Sequence, residues 1–338
     1  MCRPNGAVVG DDMLYEVRPD KARGERMKAG DVLQGRYRMV RWLGAGGMGG
    51  VYQARHEELG ALVAVKQLTL DPWDERNQSA IRQFRQEASI LHSLQHPNLP
   101  RVFDFFVEQD SYFLVMDYID GPTLEQVVCN EPISETRLLA WAEQLCQVLH
   151  YLHTHEPQVI FRDLKPSNIM LASDGVIKLI DFGIAKSWDR DRGLQTQTRA
   201  RGAGTSGFAA PEQYGTGTDV GTDIYAFGAT LYSLLTRTLP PESTGIAAGL
   251  YTIRPLRELR PDVSPETACV IEWMMTIRRN ERPISVEAVA KAFGFAWEPP
   301  RSRPQDTMRV IRAGNAETLP RLRARPVADV PASRPSVP

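Results

Sequence analysis

Apolar and polar positions alternate from Tyr37 to Leu43, and apolar-rich runs of strand length recur at Val51 to Arg55 and Ala61 to Leu68. Each predicts a β-strand. The period then lengthens. Ile81, Phe84, Ala88, Leu91 and Leu94 return at three- and four-residue steps, which predicts a helix over Ser79 to Gln95, ended by Pro97. Val102 to Phe106 and Tyr112 to Met116 are again strand-like, and Asp117-Tyr118-Ile119-Asp120-Gly121-Pro122 breaks the run. A second helix is predicted from Ser134 to His153, its core face carrying Leu138, Trp141, Ala142, Leu145, Leu149 and Leu152. Val176 to Ile180 belongs to a strand pair around Ala172-Ser173-Asp174-Gly175. Asp223 opens an apolar helix through Leu235, and Ser285 to Phe293 is the last predicted helix.

The two ends differ from this patterned middle. The first 26 residues are polar, mixed in charge and without sustained periodicity, and read as a loose extension. From Pro299 to Pro338 there are eight prolines, and eight arginines against three acidic residues, a net of +5. Such a segment cannot bury enough surface to fold alone and is expected to be a disordered basic tail. The 338 residues in all suffice for two ordinary domains or one large two-lobed one. The formal net charge of -1 gives no general electrostatic case for binding nucleic acid or an anionic membrane. No run of 18 apolar residues predicts a membrane span, and the N-terminus lacks the apolar core of a signal peptide. Cys2, Cys129, Cys146 and Cys269 lie far apart with no C-x-x-C pair, which fits reduced thiols in a cytoplasmic protein.

The densest chemistry lies in I-F-R-D-L-K-P-S-N-I-M, Ile160 to Met170. Apolar anchors flank it, so it reads as a tight loop with polar side chains turned to one side. An acid such as Asp163 can accept a proton from an attacking hydroxyl. Lys165 can neutralise a moving phosphoryl group, and the amide oxygen of Asn168 can hold a magnesium ion. Asp181-Phe182-Gly183 follows the strand-like run at Val176. Upstream, Gly44-Ala45-Gly46-Gly47-Met48-Gly49-Gly50 holds five glycines in seven residues, a composition unsuited to a helix or a packed strand interior. It lets the backbone fold over an anion and offer N–H groups to phosphate oxygens. G-x-G-x-x-G alone also fits a flexible turn or a dinucleotide fingerprint. Here it leads into a strand rather than a helix, and the next strand carries Val63-Ala64-Val65-Lys66. His92 and His96 stand four apart, but Pro97 ends the helix there and no third metal ligand is in view. His150, His153 and His155 cluster at a helix C-terminus, where imidazolium suits the dipole.

Taken together, L-G-x-G-G-M-G-x-V-Y, V-A-V-K, R-D-L-K-P-S-N, D-F-G and A-A-P-E resemble the protein kinase superfamily, in its bacterial eukaryotic-like (Hanks-type) serine/threonine group. The resemblance covers roughly residues 31 to 296. It implies an α+β, two-lobed fold: residues 1–30 a flexible extension, 31–119 a small β-rich lobe, 120–296 a larger, mainly helical lobe, and 297–338 the Pro/Arg-rich tail. Met27 opens M-K-A-G-D-V-L-Q-G-R-Y-R, which looks like a common opening of bacterial kinase domains; a start at Met27 and a real extension are both open. The implied activity is transfer of the ATP γ-phosphoryl group to serine or threonine hydroxyls of proteins, with Mg²⁺. A pseudokinase that binds ATP and partners without catalysis is the alternative; it needs a lesion at Lys66, Asp163, Asn168 or Asp181, and none is lesioned.

The resemblance also assigns roles. Asp163 is the base, Lys165 offsets γ-phosphate charge, and Lys66, oriented by Glu87, holds the α- and β-phosphates. Leu43, Gly44, Gly46, Gly49, Val51 and Ala64 surround the nucleotide. Met116 is the gatekeeper, and backbone groups of Asp117 and Ile119 read the adenine edge. Asn168 and Asp181 are the metal ligands. Asp223 holds the catalytic-loop backbone, and Arg282 pairs with Glu212. Phe161 replaces the usual histidine and is expected to pack on Phe182. Thr196 and Thr198, near Arg190, Arg192, Arg199 and Arg201, are expected to be phosphorylated in trans within a transient homodimer and read by Arg162. Thr205 is expected to bond Asp163 and Lys165. Thr307 and Thr318 in the tail are candidates for phosphorylation in cis or for docking.

Overall fold

The structure is a computed structural model that describes residues 27–46, 49–69, 78–108, 111–181, 206–215 and 217–296. Its first part is an antiparallel sheet of β1 (Val32–Leu33), β2 (Tyr37–Gly46), β3 (Gly49–His56), β4 (Leu62–Thr69), β5 (Val102–Glu108) and β6 (Ser111–Asp117). Their spatial order is β1-β2-β3-β4-β6-β5, with helix α1 (Gln78–Ser93) inserted in the chain between β4 and β5. Alternation gives the sheet two different faces. Tyr37, Met39, Tyr52, Ala54, Val63, Val65, Phe113 and Val115 bury themselves on one face as a small separate core. On the other, Leu68, Tyr112 and Leu114 join Ile81, Phe84, Ala88 and Leu91 of α1 in a core continuous with the helical part. Val51, Lys66 and Leu114 are direct cross-strand partners on this second face, and Ala64 pairs with Met116 one step along.

The glycine-rich stretch corrects the expectation. Gly44 pairs with Val51, Ala45 with Gly50 and Gly46 with Gly49, so the β2–β3 ladder continues almost to the hairpin tip. A hairpin arm that projects beyond the sheet body needs main-chain pairing but no side chains to pack. Glycine meets that requirement.

The second part is built around helix α4 (Val220–Thr236), buried along most of its length. A helix apolar on all sides belongs in an interior. Before it come α2 (Leu124–Asn130), α3 (Glu135–Thr154) and the pair β7 (Ile169–Leu171) and β8 (Ile177–Leu179). After it come α5 (Ser243–Ala247), α6 (Leu256–Leu259), α7 (Pro265–Met274) and α8 (Val286–Ala292). Gly228 lets α4 and α7 touch: a Cβ there would lie 2.8 Å from the Met274 Cβ. Ser134 and Ser285 cap α3 and α8 as N-cap residues rather than opening their first turns. Likewise α4 starts at Val220 under an Asp219 cap, so Asp223 is spared from capping. Helices α2, α5, α6 and α7 carry too few turns for a period to stand out in the sequence. No described helix is long and apolar enough to cross a membrane.

Candidate active site

The loop from Ile160 to Asn168 is held from below by α4. The Asp223 carboxylate is fully buried and accepts hydrogen bonds from the Phe161 N–H at 2.8 Å and the Arg162 N–H at 2.7 Å. His153 Nε2 lies 2.8 Å from the same carboxylate. Thr230 on α4 sets its hydroxyl 3.3 Å from the Leu164 carbonyl. These contacts matter because Arg162 is left-handed, with φ of 70°. A non-glycine residue there costs about 1–3 kcal/mol and persists only where its surroundings over-determine it. Phe161, completely buried, points into the main core.

Asp163 is 6% exposed, and two side chains converge on it through three hydrogen bonds. Lys165 Nζ donates to Oδ2 at 3.0 Å, Asn168 Nδ2 donates to Oδ2 at 2.9 Å, and the same Nδ2 donates to the Asp163 carbonyl at 2.8 Å. The Asn168 amide nitrogen is thus spent on Asp163, which turns its oxygen into the group a hard cation would meet. The Asn168 carbonyl accepts from the Ile180 N–H, tying the loop to the residue before Asp181. Asp181 is itself left-handed, with φ of 61°, and its Oδ1 lies 2.9 Å from Lys66 Nζ. The β4 lysine and the acid that follows β8 therefore meet across the gap between sheet and helical part. A carboxylate and an amide oxygen form a donor set suited to Mg²⁺.

Met116, next to last in β6, is half-buried opposite Ala64. The Asp117 N–H donates to the Arg101 carbonyl at 3.0 Å, so the expected adenine contact of Asp117 narrows to its carbonyl. The linker is pressed onto β7: the Leu171 N–H donates to the Pro122 carbonyl, and a Cβ on Gly121 would lie 1.9 Å from the Leu171 oxygen. Leu43, Gly44, Val51 and Ile119 are half-buried, and Gly46 and Gly49 stand opposite one another near the hairpin tip.

Arg282 and Glu212 form the expected pair, bidentate at 2.7 and 3.1 Å. Arg282 also donates to the carbonyls of Thr276, Gly221 and Ile277, which satisfies the buried guanidinium. A cleft of about 590 Å³ opens beside Pro166, walled by Val128, Phe208 and Leu239 and including Glu125 and Arg237. The Glu87 side chain, Gly47, Met48, Phe182, Gly183, Thr196, Thr198, Thr205, Thr307 and Thr318 lie outside the described residues.

The structure also shows supports that the sequence reading missed. The three histidines at the end of α3 each have a partner: His150 with Glu287, His153 with Asp223, and His155 with the Pro157 carbonyl. His96 accepts from the Asn98 N–H, and Asn98 Nδ2 donates to the Ile177 carbonyl, steadying β8 ahead of Asp181. A local signal existed in H-P-N-L, but the partner lies 79 residues away.

The protein kinase domain family matches residues 37–293. The serine/threonine-protein kinase PrkC of Bacillus subtilis is 33% identical over 267 residues, 78% of this chain and 39% of that protein. The serine/threonine-protein kinase PknB of Mycolicibacterium smegmatis is 35% identical over 71% of this chain and 39% of its own length. The chain thus spans about two fifths of the length of these relatives. Among solved structures, the apo form of PpkA-294 superposes with a TM-score of 0.69 at 25% identity, over 80% of this chain and 100% of that one. The kinase domain of PknI from Mycobacterium tuberculosis superposes with a TM-score of 0.60 at 26% identity, over 80% of this chain and 99% of its own. Sheet, loop and family match run through the same residues, and the chain belongs to the protein kinase domain family, in its bacterial Hanks-type serine/threonine group.

Proposed function

We propose that the protein is an ATP-dependent serine/threonine protein kinase. The observation that carries this reading is the meeting of Lys165 and Asn168 on the Asp163 carboxylate, at 3.0 and 2.9 Å, beside a Lys66–Asp181 contact of 2.9 Å. Asp163 orients the attacking hydroxyl and accepts its proton. Lys165 offsets charge on the γ-phosphate, while Lys66, with Glu87, holds the α- and β-phosphates. The backbone of the β2–β3 hairpin, flanked by Leu43, Val51 and Ala64, approaches the phosphates. Met116, Asp117 and Ile119 border the adenine. Asn168 and Asp181 would hold Mg²⁺, which when bound neutralises charge shared between the β- and γ-phosphates. The cleft beside Pro166 supports an extended protein segment as acceptor.

Residues 31–119 and 120–296 are the two lobes of this reading, and the tail from 297 an arm outside them. The substrates are proteins, with a transient homodimer for phosphorylation of Thr196 or Thr198 in trans, and the setting is the cytoplasm. Full-length protein incubated with ATP, Mg²⁺ and a serine- and threonine-containing peptide is expected to transfer phosphate. Asp163→Asn and Asp181→Asn should each abolish transfer, and Asp163→Asn should still bind ATP. Full transfer by purified Asp163→Asn protein overturns the reading. ATP binding by an inert wild type would favour the pseudokinase alternative.

A further inference from the structure

We infer that Gln213 is a positioning residue that locks the substrate-side segment to the catalytic loop, an inference that rests on the kinase reading above. Gln213 lies in the short 3-10 turn Pro211–Tyr214 and is 6% exposed. Its Oε1 accepts from the Ala210 N–H at 2.9 Å, and its Nε2 donates to the Arg162 carbonyl at 2.9 Å. The second bond spans 51 residues of sequence. Arg162 is the left-handed residue immediately before Asp163. Its N–H is taken by Asp223, and its carbonyl by Gln213.

The peptide plane that joins Arg162 to Asp163 is therefore fixed at its carbonyl from one element, while the preceding plane is fixed at its N–H from another. Releasing the carbonyl would let the plane between Arg162 and Asp163 turn, and with it the direction of the Asp163 carboxylate. On the other side, Ala209 and Ala210 are buried, and the Ala209 carbonyl accepts from Ser243. The same amide thus sets the separation between the backbone beside the acceptor cleft and the base. The position demands a side chain with one acceptor and one donor at its end. Ionised glutamate keeps the bond to Ala210 but presents an oxygen to the Arg162 oxygen. Methionine keeps the volume and loses both bonds.

The test uses the full-length protein with Gln213→Glu and Gln213→Met. At about pH 8, Gln213→Glu is expected to lower kcat for a peptide substrate about tenfold, with KM for ATP changed by less than about twofold. A protonated carboxyl can donate to Arg162 and accept from Ala210 as the amide does. The rate of Gln213→Glu relative to wild type should therefore recover as pH falls toward about 6. Gln213→Met should be slow at every pH, and its Ala210 amide should exchange hydrogen faster than in wild type. Wild-type kcat in both variants, or a Gln213→Glu deficit that does not change with pH, overturns the inference. An inert wild type would sink the kinase reading instead. Hydrogen exchange would still judge the clamp, since unchanged exchange at Ala210 in Gln213→Met refutes it.

Discussion

The catalytic loop and the glycine hairpin serve one proposed reaction and are held in opposite ways. Around Arg162 and Asp163, buried side chains from other elements fix the backbone: Asp223 and Thr230 from α4, and Gln213 from the turn at Pro211. Along Gly44, Ala45 and Gly46, and Gly49 and Gly50 opposite them, the partners are main-chain groups of the facing strand, and a Cβ added at Gly44 would meet nothing within 4 Å. The chemistry explains the difference. A base must point in one direction, which takes anchors that cannot rotate away. A backbone that cradles phosphates must come close to them, so it sheds side chains and keeps only its ladder.

The heaviest blow to the anchored region is Asp223→Ala. It strands the Phe161 and Arg162 N–H groups in the interior at about 1–3 kcal/mol each, so urea unfolding should show a loss of several kcal/mol together with loss of transfer. A loss below about 1 kcal/mol would mean the loop is not held from α4. Phe161→Ala comes next. It empties a fully buried site and should cost about 3–5 kcal/mol, with Phe161→His milder; an alanine form as stable as wild type would remove Phe161 from the core.

In the hairpin, Gly44→Ala should change stability by less than about 0.5 kcal/mol while raising KM for ATP. Gly50→Ala should be worse for stability, because its Cβ would lie 2.8 Å from the buried Tyr52 ring. Equal stability losses at both glycines would erase the contrast between open and packed positions.

The smallest effect belongs to His96. Burial, with Lys178 nearby, pulls its pKa down from the ordinary 6.5 to about 4. Between those values the unfolded chain binds a proton that the folded one does not, so this residue's contribution to stability is intact above pH 6.5 and declines as pH falls toward 4. His96→Gln should flatten that part of the profile in acid unfolding curves; an unchanged slope would show that His96 protonates freely.

The same contrast decides what could be read from the chain alone. The groups proposed to act on ligands sit in short contiguous stretches: residue type and spacing singled out Asp163, Lys165 and Asn168, and resemblance added Asp181 and Lys66. Their supports are scattered. Asp223 was reached through resemblance rather than pattern, and His153 was read as a helix-end cation when its ring is bound to that same carboxylate. Gln213 has a local partner in the Ala210 N–H three residues back, but the Arg162 carbonyl it also holds lies 51 residues upstream, out of reach of any local pattern. Strands and the long helices were legible by period. The β2–β3 ladder was cut short in the reading because glycine argues against packed strands, and this pair of strand ends needs no packing.

One feature of the fold bears on how the protein is made. Synthesis runs from the N-terminal side, and the N–H groups of Phe161 and Arg162 leave the ribosome about 60 residues before the Asp223 that receives them. Until then the left-handed turn ahead of Asp163 has neither its α4 anchor nor its Gln213 clamp. The Glu212–Arg282 pair closes later still, 70 residues after Glu212 is added. A nascent chain can therefore complete the β1–β6 sheet long before the turn ahead of Asp163 is fixed, and that turn gains its anchors only once the helical part has been added.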